Sequence, residues 1–141
     1  MKKETMLKIA LILLPVLAIG LATTVDSVTV FDTRTGAVSY GSYFSLLPVG
    51  EKQMFAPLAG LLCMLVLVLS VICVAFKKKN LAAAVKWLAF GAMFFAACPI
   101  VLRGEVLVVP HVGVPVFMGL EWVAAHMLAP KQKQEATLKN K

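Results

Sequence analysis

The residue with the greatest chemical consequence in this sequence is Glu121, which stands inside the apolar run VGVPVFMGLEWVAAHML at 112–128. A carboxylate in such a run costs at least about 2.5 to 3.5 kcal/mol on membrane-insertion scales, so it needs a partner or a use. Lys86 is the candidate partner. Counting inward from the run ends at Leu81 and Leu128, Lys86 lies about 7.5 Å deep and Glu121 about 10.5 Å deep at 1.5 Å per residue. A lysine side chain covers that difference, so an intramembrane Lys86–Glu121 ion pair is expected, and a paired carboxylate reads first as a device that fixes helix register. The alternative is a proton- or cation-coupled transport site using Glu121 and Lys86, with His126 nearby on the same run.

The other reactive side chains are too scattered to act together. Cys63, Cys73 and Cys98 all fall in apolar runs, with no C-x-x-C spacing. Thiols in such surroundings are small packing residues and usually inert. His111 and His126 lie far apart along one run, and no His, Cys and carboxylate set has the spacing of a metal site. There is no glycine-rich phosphate loop and no Ser-His-acid set. No catalytic, metal or cofactor site is therefore expected, and the chain is expected not to be an enzyme.

The elements that must position Glu121 follow from where the apolar residues fall. Hydrophobic residues make up 60% of the 141 and charged ones only 15%. Soluble domains run about half and a quarter, so a water-soluble globule, a disordered chain and a sizeable soluble catalytic domain are all excluded. Four runs approach the roughly 20 residues that cross a hydrocarbon core: about 6–24, 54–76, 81–102 and 112–128. The first could be a signal peptide, but it is longer than a typical signal core of about 7 to 15 residues, and Ala22-Thr23-Thr24-Val25 is a poor cleavage site. It is read as a retained span.

Lysines set the expected orientation, because cytoplasmic flanks keep them. Lys2, Lys3 and Lys8 mark the start, Lys77-Lys78-Lys79 the loop between the second and third runs, and Lys131, Lys133, Lys139 and Lys141 the tail at 129–141. Both termini are thus expected in the cytoplasm of a cell-membrane protein, with loops 25–53 and 103–111 outside. The net charge of +7 is absorbed by these groups and by anionic lipid at the inner leaflet, which leaves no argument for nucleic acid.

The first outer loop changes composition abruptly. Ser27–Phe31 and Ala37–Phe44 are rich in β-branched and aromatic residues, and Asp32-Thr33-Arg34-Thr35-Gly36 between them has turn chemistry, with Asp32 as acceptor and Gly36 in the left-handed region. A β-hairpin is expected. A lone hairpin is marginal in water, and Glu105–Val109 ahead of Pro110 is expected to complete a three-stranded extracytoplasmic cap. Ser45–Gly50 would then return the chain along the membrane surface or over the bundle. The expected fold is an all-α membrane protein, a four-transmembrane-helix bundle with this small β cap, in a single domain spanning 1–141. Four spans with a β-rich first outer loop and a strand in the second resemble the claudin-type tetraspan arrangement. The resemblance is one of topology alone, since this loop has neither the Trp nor the paired Cys of that family, and it implies no residue roles.

Helix contacts are also legible. Ala92 and Ala96 in the third run have the small-x-x-x-small spacing that lets helices approach closely in lipid. That face could pack within the bundle or on another chain. The sequence therefore leads to a non-enzymatic accessory subunit or oligomeric scaffold, in contact with the lipid bilayer and with a membrane-protein partner or a second copy. A small coupled transporter is the alternative.

Overall fold

The computed structural model describes residues 3–24, 28–31, 35–44, 55–77, 80–103 and 109–129. Four helices dominate: α1 (Lys3–Ala22), α2 (Phe55–Ala75), α3 (Leu81–Arg103) and α4 (Val109–Leu128). Each packs on the next in sequence, and α4 closes the ring against α1. Sequential neighbours joined by short connections run antiparallel, as in up-and-down bundles.

One seam on each helix faces the axis. It consists of Leu11, Pro15, Ala18 and Ala22 on α1, and of Ala56, Ala59, Cys63, Val66, Ser70 and Cys73 on α2. On α3 it is Ala82, Val85, Ala89, Ala92 and Ala96, and on α4 Val114, Met118, Glu121, Ala125 and Leu128. Steps alternate between three and four residues, the rhythm of helices packed at a shallow crossing angle. Most seam residues on α3 are alanine, so its backbone can lie close to its neighbours. Ala92 and Ala96 are spent inside the bundle, both essentially without exposure.

The exterior is as apolar as the interior. Leu13, Leu17, Leu61, Val68, Phe94 and Val123 are all exposed, while Ser70 and Glu121 are buried. In water such a continuous apolar surface would aggregate. Helices α1, α2 and α3 (over Leu81–Cys98) are long and apolar enough to cross a membrane, and the apolar stretch Val112–Leu128 of α4 is shorter. Length, apolarity and this inverted distribution fit a membrane location.

The expected three-stranded cap is not seen among the described residues, and the fold is corrected to a helical one. Residue Val109, assigned from sequence to the third strand, is the first residue of α4. The misreading concerns Pro110. A proline can end a strand, but it is equally suited to the first turn of a helix, where its missing N–H is not needed. Helix α4 therefore begins three residues before the expected 112 and uses the end of the supposed strand. Residues 104–108 lie outside the described residues. The only extended structure described is a ribbon of two four-residue strands, β1 (Val28–Phe31) and β2 (Val38–Gly41), antiparallel with Val28 opposite Gly41 and Phe31 opposite Val38. No third strand joins it among the described residues, so the topological likeness to the claudin arrangement is lost with the cap. Gly36 has φ +67°, while Asp32 lies outside the described residues.

Beyond the ribbon and Ser42, the residues Tyr43 and Phe44 cover this end of the bundle. The Tyr43 backbone N–H donates to the Ala22 carbonyl at 3.0 Å, and its side chain is buried. The Phe44 ring lies so close to Gly60 that a Cβ there would come within 3.0 Å of it. Helix α1 ends with its last carbonyls occupied. Ile19 accepts from the Thr23 N–H, Gly20 and Leu21 accept from the Thr23 and Thr24 hydroxyls, and Ala22 accepts from Tyr43. A helix end normally leaves four such groups without intrahelical partners. Here side chains and the returning chain satisfy them. The suggested return segment Ser45–Gly50 lies outside the described residues.

Candidate functional site

Glu121 occupies a seam position of α4, between Met118 and Ala125, and has no solvent exposure. Its partner comes from α2. The Ser70 hydroxyl, equally buried, donates to Glu121 Oε1 at 3.0 Å. Glu121 Oε2 has no hydrogen-bond partner among the described residues. Buried polar atoms are nearly always paired, and an exception marks either stored cost or function.

The expected ion pair is absent among the described residues: Lys86 Nζ instead lies 5.0 Å from the centroid of the Trp87 ring. Depth along a helix is only half of a position. The α3 seam passes through Ala82, Val85 and Ala89, so Lys86 is turned about 100° from Val85 and points off the axis. His126 is also away from Glu121, exposed and stacked on Trp122 at 6.0 Å with 16° between the rings. The three residues grouped from sequence are therefore not one cluster. Glu121 stands with Ser70, and Lys86 and His126 belong to the bundle surface.

Ser70 is the residue that the sequence reading missed. It is the only hydroxyl residue between Met54 and Phe76, and it sits seven residues after the seam residue Cys63. A single polar group on the packed face of an otherwise apolar helix was the available signal. A second polar group on the seam follows from covalent structure. Pro15 is buried within α1 and has no N–H, so the Leu11 carbonyl lacks its usual i+4 donor. None of Cys63, Cys73 and Cys98 forms a disulfide. Among the described residues no group of three His, Cys, Asp or Glu side chains could hold a metal ion.

Chemically, Glu121 can hold one proton or one small cation at Oε2, with Oε1 kept in place by Ser70. Tyr43 is no rival for acid–base work, because burial, then the neighbouring Cys63, push its phenol above the ordinary value. It stays neutral and acts as a wedge. Comparison of the chain with protein-family models, with curated proteins and with solved structures finds no match in any of the three.

Proposed function

We propose that this chain is a small, non-enzymatic integral membrane protein in which Glu121 binds and releases a proton or a small cation during transport. The observation that carries this reading is a fully buried carboxyl with one oxygen held by Ser70 and the other without a partner among the described residues. An intramembrane ionisable group is a functional candidate by default. The competing idea that Lys86 neutralises it loses its support once Lys86 is turned toward Trp87. In this reading α4, 20 residues long and thus about 30 Å, is a fourth crossing. The lysine-rich end of the bundle and both termini are cytoplasmic. Four helices enclose little space, so a complete route across the membrane would be built by two or more copies.

The test is flux. Protein reconstituted into liposomes with an internal pH dye is expected to dissipate an imposed proton or sodium gradient. Glu121→Gln keeps the shape and the bond to Ser70 and is expected to abolish that flux with unchanged helicity. Equal flux in the variant, or none in the wild-type protein, sinks the reading. The Ser70–Glu121 bond itself favours a second reading, since such bonds fasten helices in lipid. Here the chain is an accessory subunit or oligomeric scaffold that works by contact. Recovery of a stoichiometric membrane partner after mild extraction, with no flux, would support it.

A further inference from the structure

The surface residues left over from the Glu121 site form a continuous structure of their own. Four rings follow one another across the outer face of α3 and α4. Trp87 meets Phe90 edge-on at 6.3 Å, Phe90 meets Trp122 at 6.4 Å, and Trp122 stacks on His126. Lys86 Nζ lies over the first ring. Because α3 and α4 run in opposite directions, Lys86 on α3 and His126 on α4 both fall on the side of this shelf nearer Lys77. Phe90 and Trp122 lie farther from that end, and Phe94, also exposed, lies farther still. The order is cation and imidazole first, then amphipathic rings, then a plain hydrocarbon ring.

That order matches a phospholipid standing at a membrane boundary. Tryptophan is enriched at the headgroup level, and lysine reaches from a buried stem to the charged layer. The charge balance selects the kind of lipid. No Asp or Glu occurs between Lys52 and Gly104, and Lys86 makes no ion pair among the described residues. Glu121, the acid one residue from Trp122, is turned inward to Ser70. Among the described residues the cation on the shelf has no counter-ion, and an anionic headgroup supplies one.

We propose that Lys86, Trp87, Phe90, Trp122 and His126 form a binding site for one anionic phospholipid on the α3–α4 face. The headgroup phosphate meets Lys86 and the His126 imidazole, and an acyl chain runs over Phe90 and Phe94. This does not depend on what Glu121 does.

The chain has only two tryptophans, both in the shelf, so intrinsic fluorescence reports on this place alone. The full-length protein is placed in phosphatidylcholine bilayers containing equal mole fractions of either brominated phosphatidylglycerol or brominated phosphatidylcholine. Quenching is expected to correspond to about fivefold enrichment of the anionic lipid around the tryptophans, the effect of about one lysine near an anionic surface. Lys86→Gln is expected to remove the preference, Lys86→Arg to retain it, and Lys77→Gln to leave most of it. Equal quenching by the two lipids in the wild-type protein overturns the site. So does a loss in Lys77→Gln as large as in Lys86→Gln, which would mean diffuse attraction to the whole basic end.

Discussion

The two halves of the bundle share one seam geometry and differ in what fills it. Toward Tyr43, the buried cluster is Ala18, Ala22, Ala56, Ala59, Cys63, Ala92, Ala96, Val114 and Met118, with Tyr43 itself wedged among them. Toward Lys77, the cluster of Leu11, Val66, Cys73, Val85, Ala89, Ala125 and Leu128 surrounds a stretch of seam that also holds Ser70 and Glu121. One half is apolar and closed by a returning loop. The other carries the buried polar pair. The same three-and-four spacing supports both, so the difference is one of side-chain chemistry and not of backbone architecture.

Breaking the closed half should have the largest effect. Tyr43 is the bulkiest fully buried side chain among the described residues, and truncating a buried aromatic costs about 3 to 5 kcal/mol. Tyr43→Ala is expected to lower the unfolding free energy in detergent by that amount, measured by denaturant titration. A loss below about 1 kcal/mol would mean that the end is not sealed by this residue. The phenol adds a pH signature. Its folded-state value is raised above the ordinary 10.0 by burial, so below pH 10 the group is neutral in both states and its contribution is complete. As pH rises past 10 the unfolded chain ionises first and stability falls. Tyr43→Phe is expected to flatten that alkaline decline, and an unchanged decline would trace it to other groups.

The contrast between the halves was partly legible in the sequence. The four runs were visible because lipid demands long apolar stretches, and helix ends came within a few residues of those expected. Glu121 was visible for the same reason, as one acid in such a run. What the sequence did not carry was azimuth. Lys86 and Glu121 lie at similar depths, but a one-residue step from Val85 turns Lys86 out of the axis, and only the packed seam reveals that. Ser70 was hidden because a hydroxyl in an apolar run is unremarkable until its seam position is known. The end of the expected third strand, Val109, went to helix α4 because Pro110 is a residue type that serves two opposite roles. Gly60 could not be singled out from sequence either, since its need is set by the Phe44 ring from a distant loop.

The polar half gives an intermediate effect and a sharper test of purpose. Interhelical hydrogen bonds in lipid average about 0.6 kcal/mol and reach about 1.7. Ser70→Ala is expected to cost an amount in that range, because it leaves neither carboxyl oxygen with a partner among the described residues. Changing Glu121 to Met as well removes the stranded group. Replacing both members of a buried polar pair by apolar groups of similar volume is often neutral or stabilising. The double variant is therefore expected to be at least as stable as the wild-type protein, by the same denaturant titration. Stability would then not account for the pair, and its presence would point to function. A double variant markedly weaker than Ser70→Ala would instead make the pair a fastener.

The smallest effect lies at the turn that ends the polar half. Lys77 follows α2 with φ +53°, the left-handed conformation that commonly terminates helices and that glycine adopts without steric cost. A residue with a Cβ carries a penalty there of about 1 to 2 kcal/mol. Glycine also has more backbone freedom to lose on folding, which offsets part of the gain. Lys77→Gly is therefore expected to stabilise the protein by at most about 1 kcal/mol, whereas Lys77→Val, branched at Cβ, should destabilise it. Because Lys77 lies beyond the end of α2, about two helical turns past Ser70, Lys77→Gly should leave the flux assay unchanged. If tightening the turn changes flux while stability barely moves, α2 and α3 must shift relative to one another when Glu121 exchanges its ion, and the polar half would be the mobile one.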